Sequence, residues 1–98
     1  MANMDADLLY RTKAVLSDGA IIEMIVWRLS SPVLGSSHLF EYSLFYGFKG
    51  QRIVGYDKER GKGDHRHIDS RQEAYHFSTV DALISDFLDD IRKRRSRR

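Results

Sequence analysis

The chain has 98 residues, with 16 Lys and Arg, 14 Asp and Glu, and no Cys. This length allows one domain, and the lack of Cys excludes a disulfide scaffold, a thiol nucleophile and a thiolate zinc site. No apolar run approaches the roughly 18 residues of a membrane span. Met1–Asp7 has neither the basic start nor the apolar stretch of a signal peptide. We therefore expect a soluble, intracellular protein with no membrane partner.

The positive charge is concentrated at the C-terminus. Arg92–Arg98 reads RKRRSRR, so all but one of its residues are basic, and without it Met1–Ile91 is mildly acidic. We predict one domain over residues 1–91 and a basic tail over residues 92–98. The tail is either a solvated end that folding does not need, or a segment that binds nucleic acid or an acidic partner. Its candidate phosphate-binding residues are Arg92, Lys93, Arg94 and Arg95.

Several stretches have the alternating apolar pattern or the β-branched composition of strands. Turn residues separate the first two stretches at Ser17–Gly19 and the next two at Lys49–Gln51. We predict strands over Leu8–Leu16, Ala20–Leu29, His38–Phe48, Arg52–Lys58 and Ala74–Phe77.

The period changes after Phe77. Apolar residues then recur at helical spacing as far as Ile91, with acidic residues on the remaining arc. We predict an amphipathic helix with Ser78 as its N-cap and Asp81 at the third helical position. Arg92 to Arg95 lie at its C-terminal end, where cations interact favourably with the helix dipole.

These elements predict an α+β fold: an antiparallel four- to five-stranded meander sheet with one C-terminal helix packed on one face. A single helix covers only one face of such a sheet. Ala20–Leu29 is apolar in both parities, so its second face needs another cover. A homodimer contact and a partner protein are the two candidates.

The segment Tyr56–Ile68 reads YDKERGKGDHRHI and interrupts the strand pattern. One interpretation is a solvated hairpin loop. The other is a site for acid–base cleavage of a phosphodiester, because paired histidines can hold opposite protonation states near neutral pH. If the segment is extended, the rings of His65 and His67 lie on one side and Arg66 on the other, whereas in a tight turn the three side chains could converge. The candidate catalytic residues are His65, His67, Arg66 and Lys62, the candidate phosphate-binding glycines are Gly61 and Gly63, and the supporting residues are Asp57, Asp64 and Tyr75.

A divalent metal site is the competing chemical interpretation of this segment. Asp57, Asp64, His65 and His67 are permissible ligands, but an H-x-H pair without a clearly spaced third ligand is weak evidence. We therefore assign no metal and no cofactor. His38 and His76 lie in strand patterns and are predicted to be structural.

The string D-x-x-x-G-K-G-x-H-R-H over Asp57–His67, followed by Y-x-F at Tyr75–Phe77 and a final helix, resembles the TumE family of bacterial toxin–antitoxin proteins. The resemblance implies a cytoplasmic toxin that a cognate antitoxin neutralises and that acts on RNA or translation. Two hypotheses follow. The protein is either a metal-independent ribonuclease that uses the His pair, or a non-enzymatic module that binds nucleic acid or protein.

Overall fold

The computed structural model describes residues 6–32, 36–59 and 63–96. In these residues it contains one antiparallel sheet with strands in chain order, followed by a single helix. The open meander leaves β1 and β6 as its edges. The elements are β1 (Ala6–Val15), β2 (Ile21–Leu29), β3 (Phe40–Phe48), β4 (Gln51–Glu59), β5 (Gly63–Ile68), β6 (Arg71–Ala74) and α1 (Val80–Ser96).

The α+β meander with one C-terminal helix is confirmed, but the sheet has six strands, so the predicted number of four to five is wrong. The additional strand is β5, which lies within the segment predicted to interrupt the strand pattern. The last strand is β6, and the predicted strand at Ala74–Phe77 overlaps it only at Ala74. Both errors have one cause. These strands carry polar and charged side chains, and backbone pairing with β4 and β5 orders them without an apolar alternation.

The two predicted turns are present where the chain provides residues that accept a positive φ. Gly19 has a φ of 92° and closes the β1–β2 turn by donating from its amide to the Leu16 carbonyl at 2.9 Å. Lys49 and Gly50, with φ values of 53° and 78°, join β3 to β4. The hairpin registers therefore follow from local turn chemistry.

One face of the sheet, which we call the helix face, packs against α1. Leu83, Phe87 and Ile91 follow one stripe of the helix and are buried. The Phe87 ring meets the Tyr56 ring edge-on, with centroids 5.8 Å apart. The sheet contributes buried side chains that face one another across β2, β3 and β4: Val26, Tyr42, Leu44, Tyr46, Val54 and Tyr56.

The N-cap of α1 lies one residue later in the chain than the sequence predicts. The Thr79 hydroxyl accepts from the Ala82 amide at 3.0 Å, and the Thr79 carbonyl accepts from the Leu83 amide at 2.9 Å. Thr79 is therefore the N-cap, and the assignment of Ser78 is wrong. Asp81 accordingly occupies the second helical position rather than the third.

The C-terminal end of α1 contacts two turns at one end of the sheet. Arg94 Nε donates to the Asp69 carboxylate in the β5–β6 turn at 3.1 Å. Arg95 donates to the Tyr46 hydroxyl at 2.8 Å, and its guanidinium lies 3.2 Å from the Asp18 carboxylate in the β1–β2 turn. These contacts anchor the end of the helix to the turns next to both edge strands of the sheet. The division into a domain ending at residue 91 and a separate tail stays a prediction.

Candidate functional site

The β4–β5 hairpin distributes the polar side chains of Tyr56–Ile68 between the two faces of the sheet. In the register, Asp57 pairs with His65, Gly55 with His67 and Tyr56 with Arg66. Since Tyr56 lies on the helix face, Arg66 also points there, whereas both histidines project from the opposite face, which we call the open face. This is the arrangement that the sequence predicts for an extended segment.

Arg52 on β4 contacts His67 on the neighbouring strand β5, on the open face. A guanidinium nitrogen of Arg52 lies 3.1 Å from His67 Nδ1. Gly55 lies directly beside this path, because a Cβ at residue 55 would come within 2.7 Å of Arg52 Cδ. The missing side chain therefore leaves the space through which Arg52 reaches the imidazole.

This contact defines the tautomer of His67. Arginine has only donors, so Nδ1 must be the acceptor and the ring proton of the neutral imidazole resides on Nε2. Nε2 lies 3.8 Å from the Asp57 carboxylate. The His67 side chain is 14% exposed and the Asp57 side chain 40%. A sheltered imidazole is thus placed between a guanidinium and a carboxylate that solvent reaches.

These groups line a groove of about 760 Å³ on the open face. One wall, on β1 and β2, is apolar and contains Trp27 with Ile25 and Leu29. The other wall, on β3 to β6, is mostly polar: Glu41, Tyr42, Ser43, Arg52, Asp57, Lys58, His67 and Gln72. The groove therefore offers an aromatic surface on one side and charged, ionisable side chains of both signs on the other.

The family comparison agrees with the motif in this hairpin. A family model described as toxin TumE matches residues 4–95. The chain belongs to the toxin TumE family. Membership supports a toxin role and implies an antitoxin as partner. No curated protein and no solved structure is significantly similar to the chain.

The structure places most of the described TumE motif residues on or near the open face. His65 and His67 lie on the open face, and Gly63, with a φ of 81°, begins β5. Gly61 and Lys62 lie outside the described residues, so their predicted role in holding a phosphate stays a prediction. Asp57 faces the groove beside His67.

His65 occupies the neighbouring position on the open face, opposite Asp57 in the register. Residues two apart on a strand have Cα atoms separated by roughly 6.5 Å. Of the two histidines, His67 lines the groove and His65 does not. His65 Nδ1 is buried and has no hydrogen-bond partner within the described part of the chain.

Arg66 belongs to an ion-pair network on the helix face. It donates to the Glu73 carboxylate on β6 and, at 3.4 Å, to the Tyr56 hydroxyl. Its guanidinium also lies 3.5 Å from the Asp90 carboxylate on α1. The hydrogen bond with Tyr56 raises the pKa of Arg66, and Arg66 in turn lowers the pKa of Glu73. The structure therefore separates Arg66 from the two histidines with which it was grouped.

Asp64 and Tyr75 also make contacts on the helix face. Asp64 accepts from the Tyr42 hydroxyl at 2.5 Å and lies 2.8 Å from His38 Nε2. His38 Nδ1 accepts from the Phe40 amide at 3.1 Å, which makes His38 a bridge between the start of β3 and β5. Tyr75 donates to Asp86 on α1 at 2.6 Å. These contacts give His38, Asp64 and Tyr75 packing partners and keep them out of the groove.

The remaining predicted residues lie away from the groove. Arg92 and Lys93 are exposed on α1, Arg94 and Arg95 make the contacts with the turns described above, and His76 is exposed outside any strand. Within residues 6–32, 36–59 and 63–96, no three His, Asp or Glu side chains converge as metal ligands. In the part of the chain that the structure describes, no helix is long and apolar enough to cross a membrane.

Sequence reasoning missed Arg52 and Trp27 as site residues. Arg52 was predicted only as the start of a strand, and Trp27 only as one of the apolar residues of its strand. One signal was available for Arg52: a glycine within a strand, such as Gly55, marks a place where another group approaches closely. A glycine in a strand indicates where a close approach occurs, but it does not indicate which residue makes the approach.

Proposed function

We propose that this TumE family toxin acts on RNA in the cytoplasm, and that it cleaves the RNA backbone in the groove of the open face without a metal ion. The observation that supports this proposal is the contact of Arg52 with His67 beside Asp57 in an accessible groove. A guanidinium that can bind a phosphate is adjacent to an imidazole that can transfer a proton.

The proposed reaction is attack of a ribose 2′-hydroxyl on the adjacent phosphorus. When Arg52 turns from His67 to the phosphate, Nδ1 becomes free to accept the 2′-hydroxyl proton as the new P–O bond forms. Asp57, which faces Nε2, stabilises the resulting imidazolium. The P–O5′ bond breaks, and a second group gives its proton to the 5′ oxygen. The products are a 2′,3′-cyclic phosphate and a 5′-hydroxyl end.

We assign the second proton transfer to His65. His65 lies on the same face, about one strand repeat from His67, and this spacing supports the assignment, although His65 itself does not line the groove. His65 in its protonated form is the acid, and His67 in its neutral form is the base. Arg66 is assigned a positioning role, since it connects β5 to β6 and α1 from the other face.

The partner in this proposal is the cognate antitoxin. The helix leaves the open face uncovered, and that face combines apolar residues of β2 with the proposed reaction site. An antitoxin that covers this face blocks access of RNA to Arg52 and His67. We propose this cover in preference to a homodimer, because neutralisation requires occlusion of the groove.

The deciding experiment is cleavage of purified RNA by the isolated protein in the presence of a chelator. We expect fragments with 2′,3′-cyclic phosphate ends, and a loss of about 10²–10⁴ in rate for His67→Ala and for His65→Ala. His76→Ala is the matched control, since His76 is exposed and lies outside the groove. Growth arrest on expression should follow the same order.

Three results would each contradict one part of this proposal: the histidine roles, the cleavage itself or its independence of metal. If folded His65→Ala and His67→Ala proteins keep full cleavage and toxicity, the proton-transfer roles are wrong. If the protein binds RNA tightly but leaves it intact with and without divalent metal, the non-enzymatic binding module replaces the enzyme. Cleavage that stops with chelator and returns with zinc or manganese would support the metal-dependent alternative.

A further inference from the structure

Trp27 lies on the apolar wall of the groove, and the proposed cleavage chemistry does not use it. It is half-buried on β2, and Ile25 and Leu29, which share its face, line the groove on either side of it along the strand. A large aromatic ring that keeps one part accessible, between apolar neighbours, is a surface on which another flat ring can stack. It is also the only tryptophan in the chain.

The positions of Arg52 and Trp27 determine how a nucleotide can be oriented in the groove. The cation Arg52 lies on the side of the groove formed by β4 and β5, next to His67. Carboxylates lie on both sides, because Asp57 is beside His67 and Glu41 pairs with Trp27 in the register, and Lys58, which also lines the groove, is attracted to Glu41. Charge alone therefore does not orient the ligand. A phosphate held by Arg52 and a base stacked on Trp27 lie at opposite sides of the groove because the two residues do.

The strand order and the register set the distance between the two sides. Trp27 is on β2 and His67 on β5, so three strand spacings, about 14 Å, separate them across the sheet. The register also places His67 level with Glu23, four residues or about 14 Å along β2 from Trp27. This separation exceeds the reach of the nucleotide whose phosphate reacts. The base at Trp27 must then belong to a different nucleotide of the same strand, and its π-face must be free of the stacking found in a duplex.

We propose that Trp27 is a stacking site for an unpaired base. The substrate is consequently single-stranded RNA whose stacked base belongs to a nucleotide other than the one that carries the scissile phosphate. This inference rests on the proposed function, because it takes the phosphate position at Arg52 from that proposal. It adds the substrate class and a binding residue.

The test uses a short single-stranded 2′-O-methyl oligoribonucleotide, which binds but cannot be cleaved because its 2′-hydroxyl is blocked. We expect saturable quenching of the single tryptophan's fluorescence, and no quenching by the same sequence annealed to its complement. Trp27→Ala should weaken binding about 5- to 150-fold, the range for loss of one base–aromatic stack. Trp27→Phe should retain most of the affinity, since it keeps an aromatic face.

Tyr10→Ala is the matched control. Tyr10 is an exposed aromatic residue on β1, but it pairs with Val26 and so lies on the helix face. Its removal should leave oligonucleotide binding unchanged. If Trp27→Ala does not fold, the quenching of the unmodified protein and the affinity of Trp27→Phe still test the proposal.

The outcomes separate this inference from the proposed function. Tight binding without a change in fluorescence, together with equal affinity of Trp27→Ala, overturns the stacking site while cleavage of RNA can still stand. Quenching by the single strand without cleavage of unmodified RNA supports the stacking site and removes the ribonuclease. Quenching of equal size by the duplex overturns the single-strand specificity. Absence of oligonucleotide binding overturns both proposals.

Discussion

The guanidinium of Arg52 donates to His67 Nδ1 at 3.1 Å by passing over Gly55, the one position on this path that has no side chain. A Cβ at residue 55 would lie 2.7 Å from Arg52 Cδ, but the atom it meets belongs to a flexible side chain. We therefore expect Gly55→Ala to displace Arg52 while the sheet remains intact. RNA cleavage should fall by about 10²–10³, as it should for Arg52→Ala, because both variants remove the cation from the transition state.

Gly47 offers the comparison for this prediction. A Cβ there would lie 2.5 Å from the Phe45 ring and 2.8 Å from the Gln51 carbonyl oxygen, which is backbone. Gly47→Ala should consequently lower the midpoint of thermal unfolding, whereas Gly55→Ala should leave it nearly unchanged. Full cleavage by a folded Gly55→Ala protein would show that the Arg52–His67 contact has no part in the reaction.

Arg66→Ala tests whether the histidine-flanking arginine stabilises the fold or takes part in the chemistry. Its guanidinium lies beside the Asp90 carboxylate and the Tyr56 hydroxyl on the helix face. Loss of a partner from such a half-buried carboxylate costs about 1–3 kcal/mol in the free energy of unfolding. We expect denaturant unfolding at a lower midpoint, and a cleavage rate per folded molecule within a few-fold of the parent. A large rate loss at unchanged stability would instead return Arg66 to the reaction site.

Truncation after Arg92 tests the role of the basic end. On composition, Lys93–Arg98 should contribute little to stability and should add electrostatic affinity for RNA. In the structure, Arg94 and Arg95 anchor α1 to the turns at Asp69 and Asp18. We therefore expect the truncated protein to unfold at a lower temperature. Lys93→Ala, which changes an exposed residue of the same helix turn, should unfold like the parent.

The same truncation gives a second readout, the salt dependence of RNA binding. If the tail contacts phosphates, its removal should make the slope of log affinity against log salt concentration shallower, by up to about 3.5 for the five basic residues that are removed and a single strand. An unchanged slope would contradict the binding role of the tail. An unchanged unfolding temperature would contradict the anchoring role of Arg94 and Arg95.

The three tyrosines that donate to aspartates predict loss of stability in alkali. Burial, together with the neighbouring carboxylates, raises the pKa of Tyr42, Tyr56 and Tyr75 above the ordinary value of 10.0. Above about pH 10 the unfolded chain releases protons that the folded chain retains, so the free energy of unfolding falls as pH rises. Burial lowers the pKa of Lys58 and has the opposite sign, but it is a single group.

Absorbance at 295 nm checks this prediction, because it reports tyrosinate directly. We expect part of the tyrosine signal to appear together with unfolding rather than before it. Tyr75→Phe, which removes the hydroxyl bonded to Asp86, should make the loss of stability with pH less steep. Complete tyrosine ionisation in a protein that is still folded would contradict the burial argument.

The pattern of the sequence determined the meander, the positions of its first four strands and the amphipathic helix. Local properties decide these features: alternation along His38–Phe48, turn residues at Gly19 and Gly50, and helical spacing of Leu83, Phe87 and Ile91. The motif around His65 and His67 was also visible, since its composition has no explanation in core packing. Side-chain alternation places the two histidines on one face only if the segment is extended, and the structure shows that it is extended, as β5.

Only the tertiary structure decided which residues those histidines meet. Strand pairing places Gly55 beside His67, which leaves space for Arg52 to contact the imidazole. Arg66 lies on the opposite face, where it forms an ion pair with Asp90 on α1. The sequence of β5 also does not predict a strand, because it lacks an apolar alternation. Its polar side chains lie beside a groove on one face and in an ion-pair network on the other. Such contacts depend on register and on helix position, which join residues far apart in the chain and therefore leave no periodic signal along it.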